Sequence, residues 1–194
     1  MAFAHGHTPA HKGKSTTADP VMTSEVVAQI KDLLQDKPRD LALWTLATNS
    51  MLRAGDLLNI QWDDIEDDGN VMTLTLLEGK TKKRRVIPLA PPVSTLLRIW
   101  RELCASEFVF SGQRGQLTTA AWSRLIKSWC QAVGLEGNFS SHTARKTGVR
   151  IRYDEHDVSL ATLMHCLNHT SESTTLIYMG RMQADVAAAY AQVV

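Results

Sequence analysis

The chain is expected to fold as an α+β, mainly α domain: mainly helical, with one small antiparallel β-sheet. Apolar residues recur at helical spacing through most segments, whereas "NVMTLTLL" (70–77) alternates with period two. A turn at Glu78-Gly79 then leads into a returning strand, "RRVIPL".

Residues 1 to 20 hold His, Gly, Thr, Lys and Pro without apolar periodicity and read as a disordered polar arm, leaving 21–194 as the domain. His5, His7 and His11 fall in that arm and lack the neighbours a metal site needs. "TSEVVAQIKDLL" offers a Thr/Ser cap and Val26, Ile30, Leu33 and Leu34 at helical spacing. Pro38 opens a second helix, apolar enough around Leu41, Trp44, Leu46 and Ala47 for a central place. A short helix follows near "AGDLLNIQW". In the first strand Met72, Leu74 and Leu76 share one face and Val71, Thr73 and Thr75 the other, and Pro88 in the second suits an edge. "PPVSTLLRIW" reads as a helix, "EFVF" as a short strand and "GQRGQL" as a polar loop. "TTAAWSRLIKSWCQAVG" sets Trp122, Leu125, Ile126, Trp129 and Val133 on one helical face, as a core demands, and stops at Gly134. "SSHTARKTGVRIRY" predicts a helix capped by Ser140 or Ser141; "VSLATLMHCL", a short helix from Thr170 or Ser171, and "DVAAAYAQVV" complete the chain.

A chain of 194 residues suits one domain with its own core. The cysteines Cys104, Cys130 and Cys166 form no C-x-x-C pair and fit reduced thiols in a cytoplasmic setting. The sequence has no uninterrupted apolar run of membrane-spanning length. Net charge is +1, which does not announce a nucleic-acid binder, but "DDIEDD" and "KTKKRR" segregate the charges and "ARKTGVRIR" adds cations, a pattern that builds a local positive face.

Certain polar groups stand where a fold has no need of them. Arg53 lies between apolar helical segments and requires an anion; Asp56, three residues on, is the local candidate. His142 and Arg145 share a helical face. Lys80 follows Gly79 in a turn that can lay an ammonium against a phosphate. "HCLNH" places His165 and His169 at i, i+4, a spacing that can bind zinc and would serve a zinc-dependent hydrolase, but no third and fourth ligand is near. Tyr153 and Tyr190 are alternatives to Tyr178 as a reactive phenol; Tyr190, among alanines and valines, reads as packing.

Taken in order, "LRAGDLLNIQWDDI", "GKTKKRRVIPL", "HTARKTG" and "LNHTSESTTLIY" resemble the catalytic domain of the tyrosine recombinase (phage integrase) family. The resemblance runs from about Thr23 to Tyr178 and implies that family's helical catalytic fold, without its N-terminal core-binding domain. It implies a site-specific recombinase that cleaves and rejoins DNA through a 3′-phosphotyrosine. Arg53, Lys80, His142, Arg145 and His169 would then be catalytic, with Tyr178 as nucleophile. Lys82, Lys83, Arg84 and Lys146 are expected to contact DNA. No metal or other cofactor is required. The implied partner is double-stranded DNA, bound by a homo-tetramer through exchange of the C-terminal helix, in a cytoplasmic, nucleoid-associated setting of prokaryotic, phage or plasmid origin. A catalytically inactive DNA-binding or regulatory module of the same fold is the alternative. The chain departs from the family pattern at Met51 and Asn168, where glycines are usual, at Asp56 for Glu, Ala144 for Leu and Lys146 for His. Of these, Asn is the substitute best suited to a left-handed backbone.

Overall fold

Helix α1 (Ser24–Leu33) begins where Thr23 takes an extended backbone and its hydroxyl accepts the Val26 N–H. Here and below, a computed structural model describes residues 17–112, 115–179 and 190–191. Helix α2 (Pro38–Ser50) is buried from Ala42 through Thr48 in unbroken succession, the mark of a helix enclosed on all sides. A single turn, α3 (Ala54–Leu58), follows, and a 3₁₀ turn (Trp62–Asp64) leads into the sheet.

Strands β1 (Ile65–Asp67), β2 (Met72–Leu77) and β3 (Arg84–Pro88) pair antiparallel in that order. Leu74 lies opposite Ile65 on one side and Ile87 on the other. Met72 and Leu74 are wholly buried, as their alternation predicts, and Pro88 sits on the edge strand β3, where its missing N–H costs no ladder bond. Strand β1 was not expected. It is the acidic run itself: Ile65 is its one buried residue, Glu66 is exposed, and the Asp67 carboxylate accepts two hydrogen bonds from Arg98.

Helix α4 (Pro91–Leu103) packs on α2. Beyond it, "EFVF" makes only an isolated bridge, Phe108 to Gln61, instead of the expected strand. Val109 and Phe110 are consecutive and both wholly buried, which the two-sided pleat of a half-exposed strand does not allow. The expected polar loop instead contains the two-residue strands β4 (Ser111–Gly112) and β5 (Gly115–Gln116). Helix α5 (Thr119–Ala132) buries Trp122, Ile126, Trp129 and Cys130. Trp129 meets Trp44 and Trp122 edge to face, at 6.2 and 5.5 Å between centroids. These indoles are core and out of reach of any base.

Helices α6 (Thr143–Asp154), α7 (Leu160–Leu167) and α8 (Glu172–Met179) complete the described domain. The cap of α6 differs from the expected serine. His142 occupies the N-cap without a side-chain bond, and the Thr143 hydroxyl donates instead to the Asp19 carbonyl at 2.8 Å. Residues 17–20, assigned above to the arm, are therefore part of the packed chain. Ala18 is buried, the Asn138 N–H donates to the Asp19 carboxylate, and the Val21 N–H donates to the Thr147 hydroxyl. The terminal helix "DVAAAYAQVV" lies outside the described residues except Tyr190 and Ala191, both helical. Tyr190 is 88% exposed, so it does not fill the packing role expected of it.

The main core is gathered around α2, and a smaller cluster of Met51, Val149, Leu163, Leu167 and Met179 seats α7 and α8 on α6. The two regions join where α6 crosses α2 at Gly148. A Cβ there would lie 1.9 Å from the Thr48 carbonyl oxygen, so only glycine permits the approach. Gly148→Ala is expected to lower unfolding free energy by about 2 kcal/mol or more, because overpacking outweighs alanine's better helix propensity. A urea titration checks this; an unchanged midpoint would contradict the close crossing.

Candidate active site

A helix ends with carbonyls that lack intrahelical partners. At the end of α2 four successive carbonyls meet three arginines. Arg152 donates to Thr48 and Asn49 at 3.1 and 3.0 Å, Arg85 to Ser50 at 3.1 Å, and Arg145 to Met51 at 2.6 Å. The other terminal nitrogen of Arg145 donates at 3.0 Å to Leu167, the last residue of α7. Both helices stop through a left-handed residue, Met51 at φ 52° and Asn168 at φ 55°. These are the two positions where the family pattern has glycine. The backbone is left-handed at both although neither residue is glycine, at a cost of roughly 1–2 kcal/mol for a residue such as methionine. Arg145 is 3% exposed, and its charge is offset by the negative ends of two helices.

Glu78, with no exposed side-chain surface, organises the neighbouring cations. It accepts from Arg53 at 2.9 Å, Arg85 at 3.0 Å and the Thr81 hydroxyl at 2.7 Å. Arg53 thus pairs with Glu78, not with Asp56, the partner its local spacing offers. Asp56 accepts the Gly79 N–H at 2.8 Å and anchors the β2–β3 hairpin.

The hairpin carries Lys80 to the mouth of a cleft of about 380 Å³, lined by Arg53, Lys80, Thr81, His142, Arg145, Asn168, His169, Thr170, Thr174 and Tyr178. All six residues singled out for catalysis line this one cavity. They arrive from the α2–α3 junction, the hairpin, the start of α6, the α7–α8 turn and α8. The His169 and Tyr178 rings meet edge to face at 5.5 Å, and His169 Nδ1 lies 3.0 Å from the buried Thr175 hydroxyl, one turn before Tyr178 on α8. The Arg145 guanidinium lies 5.8 Å from the Tyr178 ring centroid. The Tyr178 hydroxyl is buried and makes no hydrogen bond of ordinary geometry among the described residues.

Burial pushes the Tyr178 phenol above its ordinary pKa, and the charges of Arg145 and Arg53 oppose that rise. His142 and His169 are held below the ordinary histidine value, first by partial burial, then by neighbouring cations that include Arg145 and Arg53. Both rings therefore favour the neutral form more than an exposed histidine does, and burial favours the protonated phenol.

The expected DNA contacts divide. Lys82, Lys83 and Arg84 are exposed on the hairpin beyond Lys80. Lys146 instead is 8% exposed, and its ammonium sits 5.2 Å from the Tyr178 ring centroid, because its position on α6 turns it inward beside α8. His165 is exposed on α7 while His169 turns into the cleft, and no cluster of three or more His, Cys, Asp or Glu able to hold a metal occurs among the described residues. Sequence reasoning missed Glu78 and Thr175. The signal for Glu78 was present, since it is the one acid in "LEGKTKKRR".

Burial raises the Glu78 pKa, but its bonds to Thr81, Asn168, Arg85 and Arg53 outweigh that and hold it at about 2, against an ordinary 4.5. A depressed carboxyl pKa contributes stability that is complete above the unfolded value and lost as pH falls. Unfolding free energy should thus decline between pH 4.5 and about 2 by an amount on the order of 3 kcal/mol attributable to Glu78. Glu78→Gln is expected to be less stable at pH 7 and to flatten that decline, as measured by urea unfolding across the range. A parallel decline in both proteins would remove Glu78 from this role.

The profile of the "Phage integrase family" matches residues 20–184. The chain is 29% identical over 175 residues to the "Probable integrase/recombinase YoeC" of Bacillus subtilis (strain 168), covering 88% of this chain and 94% of that protein. It is 31% identical over 150 residues to the "Tyrosine recombinase XerC" of Caldanaerobacter subterraneus subsp. tengcongensis, covering 73% of this chain and 41% of that longer protein. The chain thus spans nearly all of the first relative and less than half of the second. Among solved structures, the XerA recombinase superposes with a TM-score of 0.71 at 17% identity, over 92% of this chain and 68% of that one. The lambda integrase tetramer bound to a Holliday junction gives 0.67 at 22% identity, over 85% and 49%. None of the described helices is long and apolar enough to cross a membrane. Fold, cleft and sequence agree: the chain belongs to the phage integrase family and has the tyrosine recombinase catalytic-domain fold.

Proposed function

We propose that this domain cleaves and rejoins DNA at specific sites through a covalent 3′-phosphotyrosine at Tyr178. The observation that supports the reading most is the meeting of Arg53, Lys80, His142, Arg145, His169 and Tyr178 in one cleft. A phenol with a reference pKa of about 10 is a weak nucleophile at neutral pH, and burial weakens this one further. A phosphodiester drawn between Arg53 and Arg145 reverses the balance, because guanidinium hydrogen bonds to its non-bridging oxygens stabilise the charge of the five-coordinate transition state. The Tyr178 oxygen bonds to phosphorus and the bond from phosphorus to the 5′ oxygen breaks. Lys80 delivers a proton to that oxygen, and the phenol proton passes to neutral His142 or His169. Thr175 occupies Nδ1 of His169, leaving Nε2 for the substrate. The ester is exchanged and not hydrolysed, so the reverse sequence rejoins the strand.

Lys82, Lys83 and Arg84 extend the positive surface along DNA, and the domain works as a tetramer on two duplexes, with the C-terminal helix exchanged between copies. Incubation with nicked suicide DNA should yield a denaturant-stable protein–DNA adduct that Tyr178→Phe abolishes while leaving affinity intact. Specific binding without an adduct in the unmodified protein would favour the inactive DNA-binding module. Replacing Lys82 and Lys83 with Ala should weaken binding and reduce the slope of log K against log salt by roughly 0.9 for each phosphate that is no longer neutralised. An unchanged slope would place the hairpin away from DNA.

A further inference from the structure

Lys146 was expected to contact DNA, and its burial beside Tyr178 points to a further role. We propose that Lys146 is a positioning residue for Tyr178, holding the ring in place from outside the arginine cleft and balancing the phenolate as the nucleophile forms. The inference rests on the reading of Tyr178 as nucleophile.

Two cavities adjoin the ring. The first is the catalytic cleft, which Arg145 lines and Lys146 does not. The second, of about 430 Å³, is lined by Lys146 with Thr17, Ala18 and Ser140, and Arg145 takes no part in it. Tyr178, His142 and Thr174 border both. Arg145 and Lys146 are successive residues on α6, so their side chains diverge by about 100° around the helix and reach the ring from two cavities. The guanidinium stands 5.8 Å and the ammonium 5.2 Å from the ring centroid.

A lysine this buried ordinarily has a carboxylate partner. Among the described residues no carboxylate forms an ion pair with Lys146; Asp19 supports its charge from a distance, and burial opposes it. The Tyr178 ring face is its short-range compensation, and the contact strengthens when the ring becomes a phenolate. Lys146 stays an ammonium throughout. It takes no proton from Tyr178 and gives none to the leaving oxygen, so the bonds made and broken are those of the cleavage step above.

The test compares the intact protein with Lys146→Met, which keeps length without charge, and Lys146→Arg, which keeps the charge. In single turnover on nicked suicide DNA, the Met variant should form adduct about 3- to 30-fold more slowly, the span from a solvated to a desolvated cation–π contact, with the DNA dissociation constant changed less than about twofold. The Arg variant should recover most of the rate. In parallel, 13C-tyrosine NMR of the DNA-free proteins, with Tyr178 assigned through Tyr178→Phe, should show its ring signal moving toward that of an exposed tyrosine in the Met variant and much less in the Arg variant. Loss of affinity equal to loss of rate, with the ring signal unmoved, would overturn the proposal and make Lys146 a phosphate contact. If the unmodified protein forms no adduct, the recombinase reading falls, yet the ring signal still decides whether Lys146 holds Tyr178. Should the Met variant fail to fold, the Arg variant carries the test: restoring neither rate nor ring position, it overturns the proposal.

Discussion

The end of α2 is where this structure is held together. Thr48, Asn49, Ser50 and Met51 present carbonyls that the helix itself cannot satisfy, and arginines from β3 and α6 satisfy all four. Each bond is charge-assisted and sits at the negative end of a helix dipole. The same contacts fix the site. Arg145 cannot bind Met51 and Leu167 together unless α2, α6 and α7 are in register, and Arg85 links Ser50 to Glu78 and through it to Arg53. Arg145 and Arg53, the two cations proposed to grip one phosphate, are thereby positioned by backbone carbonyls and a single buried carboxylate.

Most of the fold was legible because its helices are amphipathic or uniformly apolar over long windows and begin at recognisable caps. Thr23 and Pro38 open helices as their chemistry predicts, and the tryptophans on α5 face the core as their spacing requires. What failed was short or long-range. Three residues of β1 are too few to show a period, and a strand with one buried side chain reads as a solvated acidic run. "EFVF" has strand composition, but tertiary packing takes Val109 and Phe110 inward together.

The site was legible as a set of residue types and less so as a set of contacts. The resemblance to the family, carried by four motifs in order, brought out the residues that share the cleft. Helical spacing offered Asp56 to Arg53, since i, i+3 is the pairing a local rule can see. The anion that binds it, Glu78, lies across the hairpin, and only the three-dimensional fold brings them within 2.9 Å. Lys146 is a related case: a cation in a basic stretch reads as surface, and its inward turn depends on where α8 packs. The left-handed positions are the opposite case. Met51 adopts a left-handed backbone that its residue type does not announce, because the packing at the end of α2 imposes it.

The spacing of these arginines along the chain bears on how the protein comes off the ribosome. A nascent polypeptide that has just emerged through α2 carries a helix end whose ligands are still untranslated, the last of them at Arg152, and the Leu167 carbonyl that shares Arg145 comes later again. A cleft wired in this way cannot assemble on a partial translation product. Until α6 and α7 have both emerged, the carbonyls at the end of α2 and the α6 guanidinium groups that meet them lack their full set of bonds.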